Sequence, residues 1–487
     1  MRFSFGNVLL LVKNKVILYA VSRYFISGLS FITSLIMAGR LGSFYLGVWG
    51  FIMLIRHYFQ IINLGIPDST TVLLVNNRDD KPLSQDYEKN SFLWIVLLSA
   101  VIIIFAILHY FFQFGFITKY GLTWEFYVVC IFSCLTLFND LCMKIARVKG
   151  RVFELIFYQS IIQILSFVIV VCCTEDSIIP FLVMAYLIGN ILSVYVFLRK
   201  RDISFSGKVR LDLAREIIEK GFYIFLYNFL SYLIMISTRT VISQSYDISE
   251  FGLFTFAYTL ANSIVLIVDA VAALIIPKLL SKYKTDDINS IQCTINQIRV
   301  NYIYVSYFLL FILLILFTLL LIVLPDYNNS FDIVVYTSLA VAIQSHSFPY
   351  MMLLLTKNKE KVLALSSGIS LVVNLVLVIV MERLFDAGFQ YLVIATWISY
   401  AIHGFLCMFF AYKTINLKRS VISLVCEFFP LSVIMPVLFS FIIGFADLRW
   451  WIGLPLLLFV FMNLKFFKQL MLSIKQLVFN PEIVDIK

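Results

Sequence analysis

Arginine side chains lie deep inside two of the long apolar segments of this chain. Arg56 follows Leu46 by ten residues and Arg23 follows Val16 by seven. In a helix these spacings place them about 15 Å and about 10 Å from the segment ends. A charge at that depth in hydrocarbon is costly and usually faces a cavity or an opposite charge. Guanidinium groups in a cavity suit phosphate, because their planar fork donates to two oxygens at once. A structural ion pair or snorkelling to lipid phosphates is the alternative.

Two further cationic candidates accompany these arginines. His57 adjoins Arg56, and Arg239 lies near the end of a later apolar segment, where anchoring at the membrane interface competes with a binding role. Candidate cations outnumber the carboxylates at similar depth, and they are Arg23, Arg56, His57 and Arg239. The sequence therefore predicts a net cationic substrate site that suits an anion better than a lipophilic cation.

Two carboxylates are candidates for ion coupling or for ion pairing. Asp269 is the deepest carboxylate in the apolar segments and lies eight residues before Pro277. It is predicted either to pair with an arginine or to titrate for coupling to protons or sodium. Asp140 precedes Lys144 by one helical turn, so a local ion pair is its favoured interpretation.

Polar residues and a proline interrupt another apolar segment, in the sequence from Gln344 to Pro349. Such a combination is typical of a broken helix whose freed backbone groups find partners in a cavity. His346 and Gln344 are therefore candidates for lining a cavity, and helix packing is an equally supported role for His346.

Fourteen apolar segments position these residues. Of the 487 residues, 61% are hydrophobic and 14% are charged, whereas soluble domains average about 25% charged. A hydrocarbon core of about 30 Å needs about 20 apolar residues as helix, and segments this continuously apolar do not alternate as barrel strands do. We therefore predict an all-α polytopic membrane protein with spans at residues 16–38, 46–75, 90–112, 124–146, 152–173, 178–198, 220–242, 251–276, 300–324, 333–356, 362–381, 391–412, 421–445 and 450–467. The second is longer than a minimal span and carries Gly65 and Pro67 near its inner end, which predicts a long, tilted or kinked helix.

The basic residues between the segments indicate an orientation. Most of the 38 Lys and Arg residues fall in alternate loops and near the chain ends, whereas the opposite loops hold only Arg40, Lys119, Arg383 and Arg449. The positive-inside rule therefore places both termini in the cytoplasm. The net charge of +10 is an orientation signal and does not indicate nucleic-acid binding. The eight cysteines lack metal-ligand spacing and no P-loop is visible, so neither a metal nor a cofactor is predicted.

The segments are predicted to form two six-helix lobes with a faint internal repeat. Residues 40–47 and 246–252 are similar turns that lead into helices ending near Pro67 and Pro277. Repeats of this kind put a substrate site between two lobes. The predicted parts are an N-terminal lobe at 1–198, a cytoplasmic connecting loop with an amphipathic helix at 199–219, a C-terminal lobe at 220–412, and two extra helices with a cytoplasmic tail at 413–487.

The opening of the chain resembles a known family. The stretch GLSFITSLIMAGRLGSFYLGVW from Gly28 to Trp49, followed by Gly65-Ile-Pro67, is similar to the start of bacterial polysaccharide transporters. These belong to the multidrug/oligosaccharidyl-lipid/polysaccharide (MOP) exporter superfamily, and the most similar branch is the Wzx-type flippases of O-antigen repeat units. The resemblance extends over the whole chain as a MATE-like layout of two six-helix lobes plus two helices. Related peptidoglycan-precursor flippases carry cavity arginines at places comparable to Arg23 and Arg56.

The resemblance implies transport of a lipid-linked sugar without ATP. Such proteins bind an undecaprenyl-pyrophosphate-linked oligosaccharide in the cytoplasmic leaflet of the bacterial plasma (inner) membrane. They rock their lobes and release the substrate into the outer leaflet for O-antigen and lipopolysaccharide biosynthesis. A polysaccharide polymerase and a chain-length regulator are the implied partners. The two extra helices are expected to line a groove for the lipid tail.

Three other functions are alternatives. A MATE-like drug/cation antiporter would require carboxylates to dominate the cavity. A membrane-embedded polysaccharide polymerase usually carries a sizeable extracytoplasmic loop, and the outer loops here are short. A scaffold without transport activity predicts that Arg56→Ala leaves glycan display intact.

Overall fold

The computed structural model describes residues 15–199, 206–284 and 287–468. This part of the chain consists of α-helices, short 3₁₀ turns and connections, and it contains no β-strand. Helices pair their backbone N–H and C=O groups internally, and lipid hydrocarbon offers these groups no hydrogen-bond partner. The predicted class, an all-α polytopic membrane protein, is confirmed.

The first compact unit covers Met1–Thr259. In it, α7 packs against α5 and α6, α1 packs against α6, and α8 packs against α2 and α3. Its helices are α1 (Lys15–Ile61), α2 (Ile66–Asn76), α3 (Lys81–Phe112), α4 (Gly115–Thr118), α5 (Trp124–Val148), α6 (Val152–Cys172), α7 (Glu175–Arg199), α8 (Leu211–Ser245) and the start of α9 (Ile248–Tyr283).

The second compact unit covers Leu260–Lys487. In it, α14 packs against α11, α12 and α13, while α16 and α17 pack against each other. After the remainder of α9, its helices are α10 (Ile288–Val323), α11 (Phe331–Ile343), α12 (Phe348–Thr356), α13 (Glu360–Arg383), α14 (Leu392–Thr414), α15 (Val421–Phe428), α16 (Leu431–Phe445) and α17 (Gly453–Met462).

The first two predicted spans are joined in α1. This helix has 47 residues, which would extend about 70 Å if it were straight, more than twice a hydrocarbon core of about 30 Å. At Gly42 the backbone leaves the helical region, with φ 65° and ψ 178°, a conformation that glycine adopts without steric cost. Gly42 therefore divides α1 at the turn that the sequence predicts between its first two spans.

The second predicted span is also broken, as the sequence indicates. Residues 62–65 form a turn between α1 and α2, with positive φ at Leu64 and Gly65, and Pro67 lies in the first turn of α2. A Cβ on Gly65 would lie 2.7 Å from the Cβ of Phe225. The break therefore also lets α8 approach this turn closely.

All fourteen predicted segments contain helix, although fewer of them qualify as separate spans. Ten helices of the described part are long and apolar enough to cross a membrane, and the bent pair of α15 and α16 makes eleven. The other three predicted spans are accounted for individually. The second is merged into α1, the eighth lies on α9, where residues 265–278 have no described side chains, and the fourteenth is the short helix α17.

The division into units differs from the predicted lobes, which stay a prediction. The boundary between the units falls after Thr259, within α9, and not in the connecting loop at 199–219. The predicted amphipathic helix is the first part of α8, continuous with the seventh span. Its polar face joins it to α3, because the Trp94 indole donates to the carbonyl of Ala214 at 3.1 Å and the Tyr87 hydroxyl donates to Glu216 at 2.7 Å.

Candidate functional site

Arg56 lies in the second half of α1 beside α7. Its guanidinium carbon is 5.4 Å from the centre of the Tyr186 ring. The side chain is half-buried, and its Nε is buried without a hydrogen-bond partner in the described part of the chain. A cation–π contact contributes about 0.5–2 kcal/mol, which offsets only part of the several kcal/mol that desolvating an ion costs. The guanidinium therefore keeps donor capacity for a ligand.

Arg239 on α8 is more deeply buried, with 2% of its surface exposed. Its guanidinium carbon lies 4.5 Å from the ring centre of Tyr258 and 5.9 Å from that of Phe251. Its hydrogen bond to the carbonyl of Gly50 is long, at 3.5 Å, and its Nε has no hydrogen-bond partner among the described residues. Interfacial anchoring, which the sequence left open for Arg239, does not fit a side chain enclosed in this way.

His57 lies between these two cations. Both guanidinium groups act electrostatically on its ring, and its Nδ1 is buried without a partner in the described structure. The ring meets Tyr232 of α8 edge-on, with the centroids 5.9 Å apart. Next to it, the Tyr58 hydroxyl and Thr240 Oγ1 are 2.6 Å apart. Arg56, His57 and Tyr58 of α1 thus form a single polar surface with Tyr232, Arg239 and Thr240 of α8.

This surface has an excess of positive charge. No carboxylate of the described residues lies within ion-pair distance of Arg56 or Arg239. A buried cation without an anionic partner is unfavourable by several kcal/mol. Such charges without a contacting carboxylate in a membrane-embedded site indicate function, because the ring contacts offset only part of their desolvation cost.

Asp140 on α5 is the carboxylate associated with this surface. It accepts hydrogen bonds from Tyr158 at 2.8 Å and from Gln60 at 3.1 Å. Gln60 lies one helical turn after Arg56, and the charge of Arg56 acts on Asp140. The predicted ion pair between Asp140 and Lys144 is not formed as a contact, since Lys144 pairs with Asp68. Asp140 is oriented by neutral donors and faces the cationic surface.

The arrangement can bind an anion through fixed guanidinium groups. The tyrosine rings hold the planes of Arg56 and Arg239 and leave N–H edges without partners. Charge-assisted hydrogen bonds from arginine to phosphate are about twice as strong as neutral ones. The site can therefore recognise an anionic group by its charge. The described residues contain no group of three or more His, Cys, Asp or Glu that could hold a metal ion.

Two predicted site residues are not brought into this surface. Arg23 is exposed on the first half of α1 and has no polar contact in the described part of the chain. Asp269 belongs to α9, but its side chain lies outside the described residues. Their roles in substrate binding and in ion coupling stay predictions.

The helix break at Gln344 is present, and it serves packing at His346. Residues Gln344–Ser347 form a 3₁₀ turn between α11 and α12. His346 is 1% exposed, with Nδ1 at 2.8 Å from the carbonyl oxygen of Phe428 and Nε2 at 3.2 Å from the Tyr307 hydroxyl. Gln344 is half-buried. Of the two interpretations of His346, these contacts describe helix packing.

Sequence reasoning did not find the aromatic and amide partners of the site. Tyr186 and Tyr258 contact the two arginines, and Tyr232 contacts His57. Gln60 and Tyr158 donate hydrogen bonds to Asp140. Tyrosine is enriched at the interfaces of any membrane protein, and this chain has 26 of them. The spacing of Arg56 and Gln60 by one helical turn was the available signal for a shared face.

The fold has known counterparts among solved structures. The structure described as lipid II flippase MurJ in an inward closed conformation has a TM-score of 0.64, with 15% identity over 94% of this chain and 99% of that chain. An inward-facing multidrug resistance MATE family transporter of the MOP superfamily has a TM-score of 0.62, with 12% identity over 82% of this chain and 98% of that chain. An outward-facing MATE transporter has a TM-score of 0.56, with 12% identity over 82% of this chain and 94% of that chain.

These likenesses establish the fold. The chain has the fold of the MATE and MurJ-like transporters of the MOP superfamily, which confirms the predicted fold class. No protein-family model matches the sequence. No curated protein matches it either. Assignment of a substrate therefore rests on the site and is a proposal.

Proposed function

We propose that the protein is a flippase that moves an undecaprenyl-pyrophosphate-linked oligosaccharide from the cytoplasmic to the outer leaflet of the bacterial plasma membrane. An O-antigen repeat unit or a similar surface glycan precursor is the proposed cargo. One observation carries the proposal: Arg56 and Arg239 bring two positive charges to one surface of the first unit, and no described carboxylate lies within ion-pair distance of either.

The proposed cargo matches this surface in charge and in shape. A pyrophosphate diester offers negative oxygens on two adjacent phosphorus atoms, and two guanidinium groups can bind them bidentately. Desolvation strengthens such contacts, because charges attract more strongly in a low-dielectric site. The polyprenyl chain needs no polar partner and can stay in the bilayer while the headgroup crosses.

The fold supports a transport cycle of alternating access. The solved structures with this fold include inward-facing and outward-facing transporters and one lipid flippase. In the proposed cycle, the substrate headgroup neutralises Arg56 and Arg239, and the site then opens to the other side of the membrane. Asp140, and Asp269 as predicted from the sequence, are the candidates for coupling the cycle to protons or sodium.

A MATE-like drug/cation antiporter is the second candidate, and Asp140 favours it. This carboxylate lies near Arg56 and is oriented by Gln60 and Tyr158. An exported cation would have to bind there near Arg56. Because two positive charges repel each other strongly in a low-dielectric site, we place this candidate second.

The test is glycan display in a strain that lacks the protein, complemented with Arg56→Ala, Arg56→Lys or Arg239→Gln. Loss of a hydrogen bond to a charged group costs about 1.5–3 kcal/mol, so we expect transport to fall by about 10- to 100-fold in Arg56→Ala. Arg56→Lys should keep part of the activity, because it retains charge without the planar fork. Arg215→Ala is the matched control, since this arginine is 81% exposed and pairs only with Glu219.

The flippase proposal requires two results together at normal protein levels. Lipid-linked repeat units must accumulate inside the cell, and surface glycan must be lost, in the deletion strain and in Arg56→Ala. Normal glycan display after deletion, in a strain without a second flippase, would overturn the proposal. Sensitivity of the deletion strain to cationic drugs would then support the antiporter.

A further inference from the structure

A second basic site lies in the other unit, where α10, α15 and the turn before α16 enclose a cavity of about 340 Å³. Five residues of one face of α10 line it, together with one face of α15. The lining residues are Asn296, Arg299, Val300, Ile303, Tyr304, Arg419, Ser423, Cys426, Glu427 and Pro430. Arg299 and Arg419 against Glu427 give the lining a net positive charge, and Val300, Ile303 and Pro430 form its apolar wall.

The cavity exists because the chain breaks between α15 and α16. Pro430 has no backbone N–H and cannot continue a helix, and the two helices meet at an angle of 61°. The carbonyls at the end of α15 lose their helical partners there. Arg299 Nη1 donates to the carbonyl of Glu427 at 2.5 Å, and His346 is within hydrogen-bond distance of that of Phe428. These long-range contacts hold α15 at a fixed angle over α10.

The single carboxylate of the cavity is fully engaged by the protein. Glu427 is 7% exposed and accepts hydrogen bonds from the hydroxyls of Tyr350 and Tyr412. Arg299 Nε lies 3.6 Å and Arg419 Nη1 3.8 Å from its two oxygens. Arg299 contacts this end of α15 twice, at the carbonyl and at the carboxylate of Glu427. Among the described residues, Arg419 makes the long contact to Glu427 and a ring contact with Tyr412 at 5.9 Å and no closer ion pair, so its charge is available to a ligand.

The surroundings of the cavity suit the headgroup region of a bilayer. Short amphipathic helices such as α15 lie in the membrane interface with their apolar face toward the acyl chains. Val421 and Ile422 of α15 are exposed for such contact. The ring of Tyr304, another lining residue, packs edge-on against Phe466, with the ring centroids 5.1 Å apart.

We propose that this cavity binds the phosphodiester of an anionic phospholipid, with Arg419 as the principal cation and the apolar wall beside its acyl chains. Basic pockets between membrane helices on the cytoplasmic side recognise such headgroups. Arg299 stands at the start of the predicted ninth span and Arg419 just before α15, and both positions follow basic loops that the positive-inside rule assigns to that side. The site is separate from the Arg56 and Arg239 surface and does not depend on the flippase proposal.

Cys426 provides a direct probe, because it lines the cavity and its side chain is exposed. The experiment uses the full chain with Cys426 as the sole cysteine, reconstituted in nanodiscs of phosphatidylcholine alone or with phosphatidylglycerol. The rate of maleimide labelling is measured in both, and again in phosphatidylcholine with inorganic phosphate added. A chain with Cys293 as its sole cysteine controls for surface potential, since Cys293 is exposed on α10 and does not line the cavity.

We expect phosphatidylglycerol to slow the labelling of Cys426 by about fivefold and to leave the labelling of Cys293 unchanged. A fivefold effect corresponds to a lipid concentration of about four times the Kd. Arg419→Gln should remove this protection, whereas Lys418→Gln should retain it, because Lys418 is exposed and does not line the cavity. Arg299 is left intact, since it stabilises the end of α15.

Three results would overturn the proposal. One is equal labelling of Cys426 in both lipid compositions. Another is equal slowing at Cys293, which would reveal a general surface potential. The third is equal protection by inorganic phosphate, which would assign the cavity to a soluble phosphate compound.

Discussion

Gly252→Ala is predicted to force apart two helices that meet backbone to backbone in the first unit. A Cβ at Gly252 would lie 2.7 Å from the carbonyl carbon of Ser43 and 3.0 Å from the amide nitrogen of Gly47. The contact is reciprocal, because a Cβ at Gly47 would lie 3.0 Å from the carbonyl carbon of Ile248. Each glycine thus faces the residue four positions before the other, which matches the internal repeat indicated by the sequence.

The magnitude follows from these distances. Carbon atoms prefer separations of about 3.5 Å or more, and the carbonyl oxygen of Ser43 lies closer to the new Cβ than its carbon does, so α1 and α9 would have to separate locally by at least about 0.8 Å. Overpacking of this kind costs about 1–3 kcal/mol. The upper part of the range is expected here, because backbone and not a flexible side chain opposes the new methyl group. Better helix propensity returns up to about 1 kcal/mol, which leaves a net loss of about 1–2 kcal/mol.

The assay is thermal unfolding of the purified protein in detergent, followed by a thiol-reactive dye that reports buried cysteines. Gly28→Ala is the matched control. Gly28 lies within α1, and no atom lies within 4 Å of the position of its Cβ. The Tm of Gly252→Ala should therefore fall below that of the wild type, whereas the Tm of Gly28→Ala should be unchanged or higher.

A double-mutant cycle tests whether both glycines belong to one contact. Once Gly47→Ala has separated the helices, Gly252→Ala should cost less than it does alone, so the two effects should not add. Additive effects, or a Tm for Gly252→Ala at or above that of Gly28→Ala, would refute the close backbone packing.

Three further substitutions are predicted from single observations. Arg239→Met removes a buried cation without a carboxylate partner, so the Tm should stay level or rise while glycan display is lost; a lower Tm would mean that Arg239 is mainly structural. Lys119→Met should lower the Tm by removing a cation that donates to three backbone carbonyls at the end of α8 at 2.6–3.0 Å, and an unchanged Tm would contradict these bonds. His346→Ala leaves the carbonyl of Phe428 without its side-chain partner, which should lower the free energy of unfolding by about 1–3 kcal/mol. His346→Gln should recover part of the lost Tm. Equal losses of Tm in both variants would argue against this hydrogen bond.

The surface around Arg56 and Arg239 shows what cannot be predicted from the depth of a residue within one apolar segment. Depth along a helix predicted Arg56 as a membrane-embedded cation, but the same measure favoured interfacial anchoring about as much as binding for Arg239. The structure encloses Arg239 between Tyr258 and Phe251, beside His57. Depth depends on one helix, whereas enclosure depends on its neighbours, so no count along α8 could have distinguished the two roles.

Local chemistry of the sequence determined the membrane class, the helical segments, the breaks at Gly65 and at Gln344, and the excess of embedded positive charge. These features follow from windows of about 20 residues, because hydrocarbon selects apolar composition and internal backbone hydrogen bonding. Only the tertiary structure decided which side chains meet. Lys144 pairs with Asp68 rather than Asp140, and His346 meets a carbonyl 82 positions away. Such pairs join residues far apart in the chain, and helix packing, which a window of sequence does not contain, brings them together.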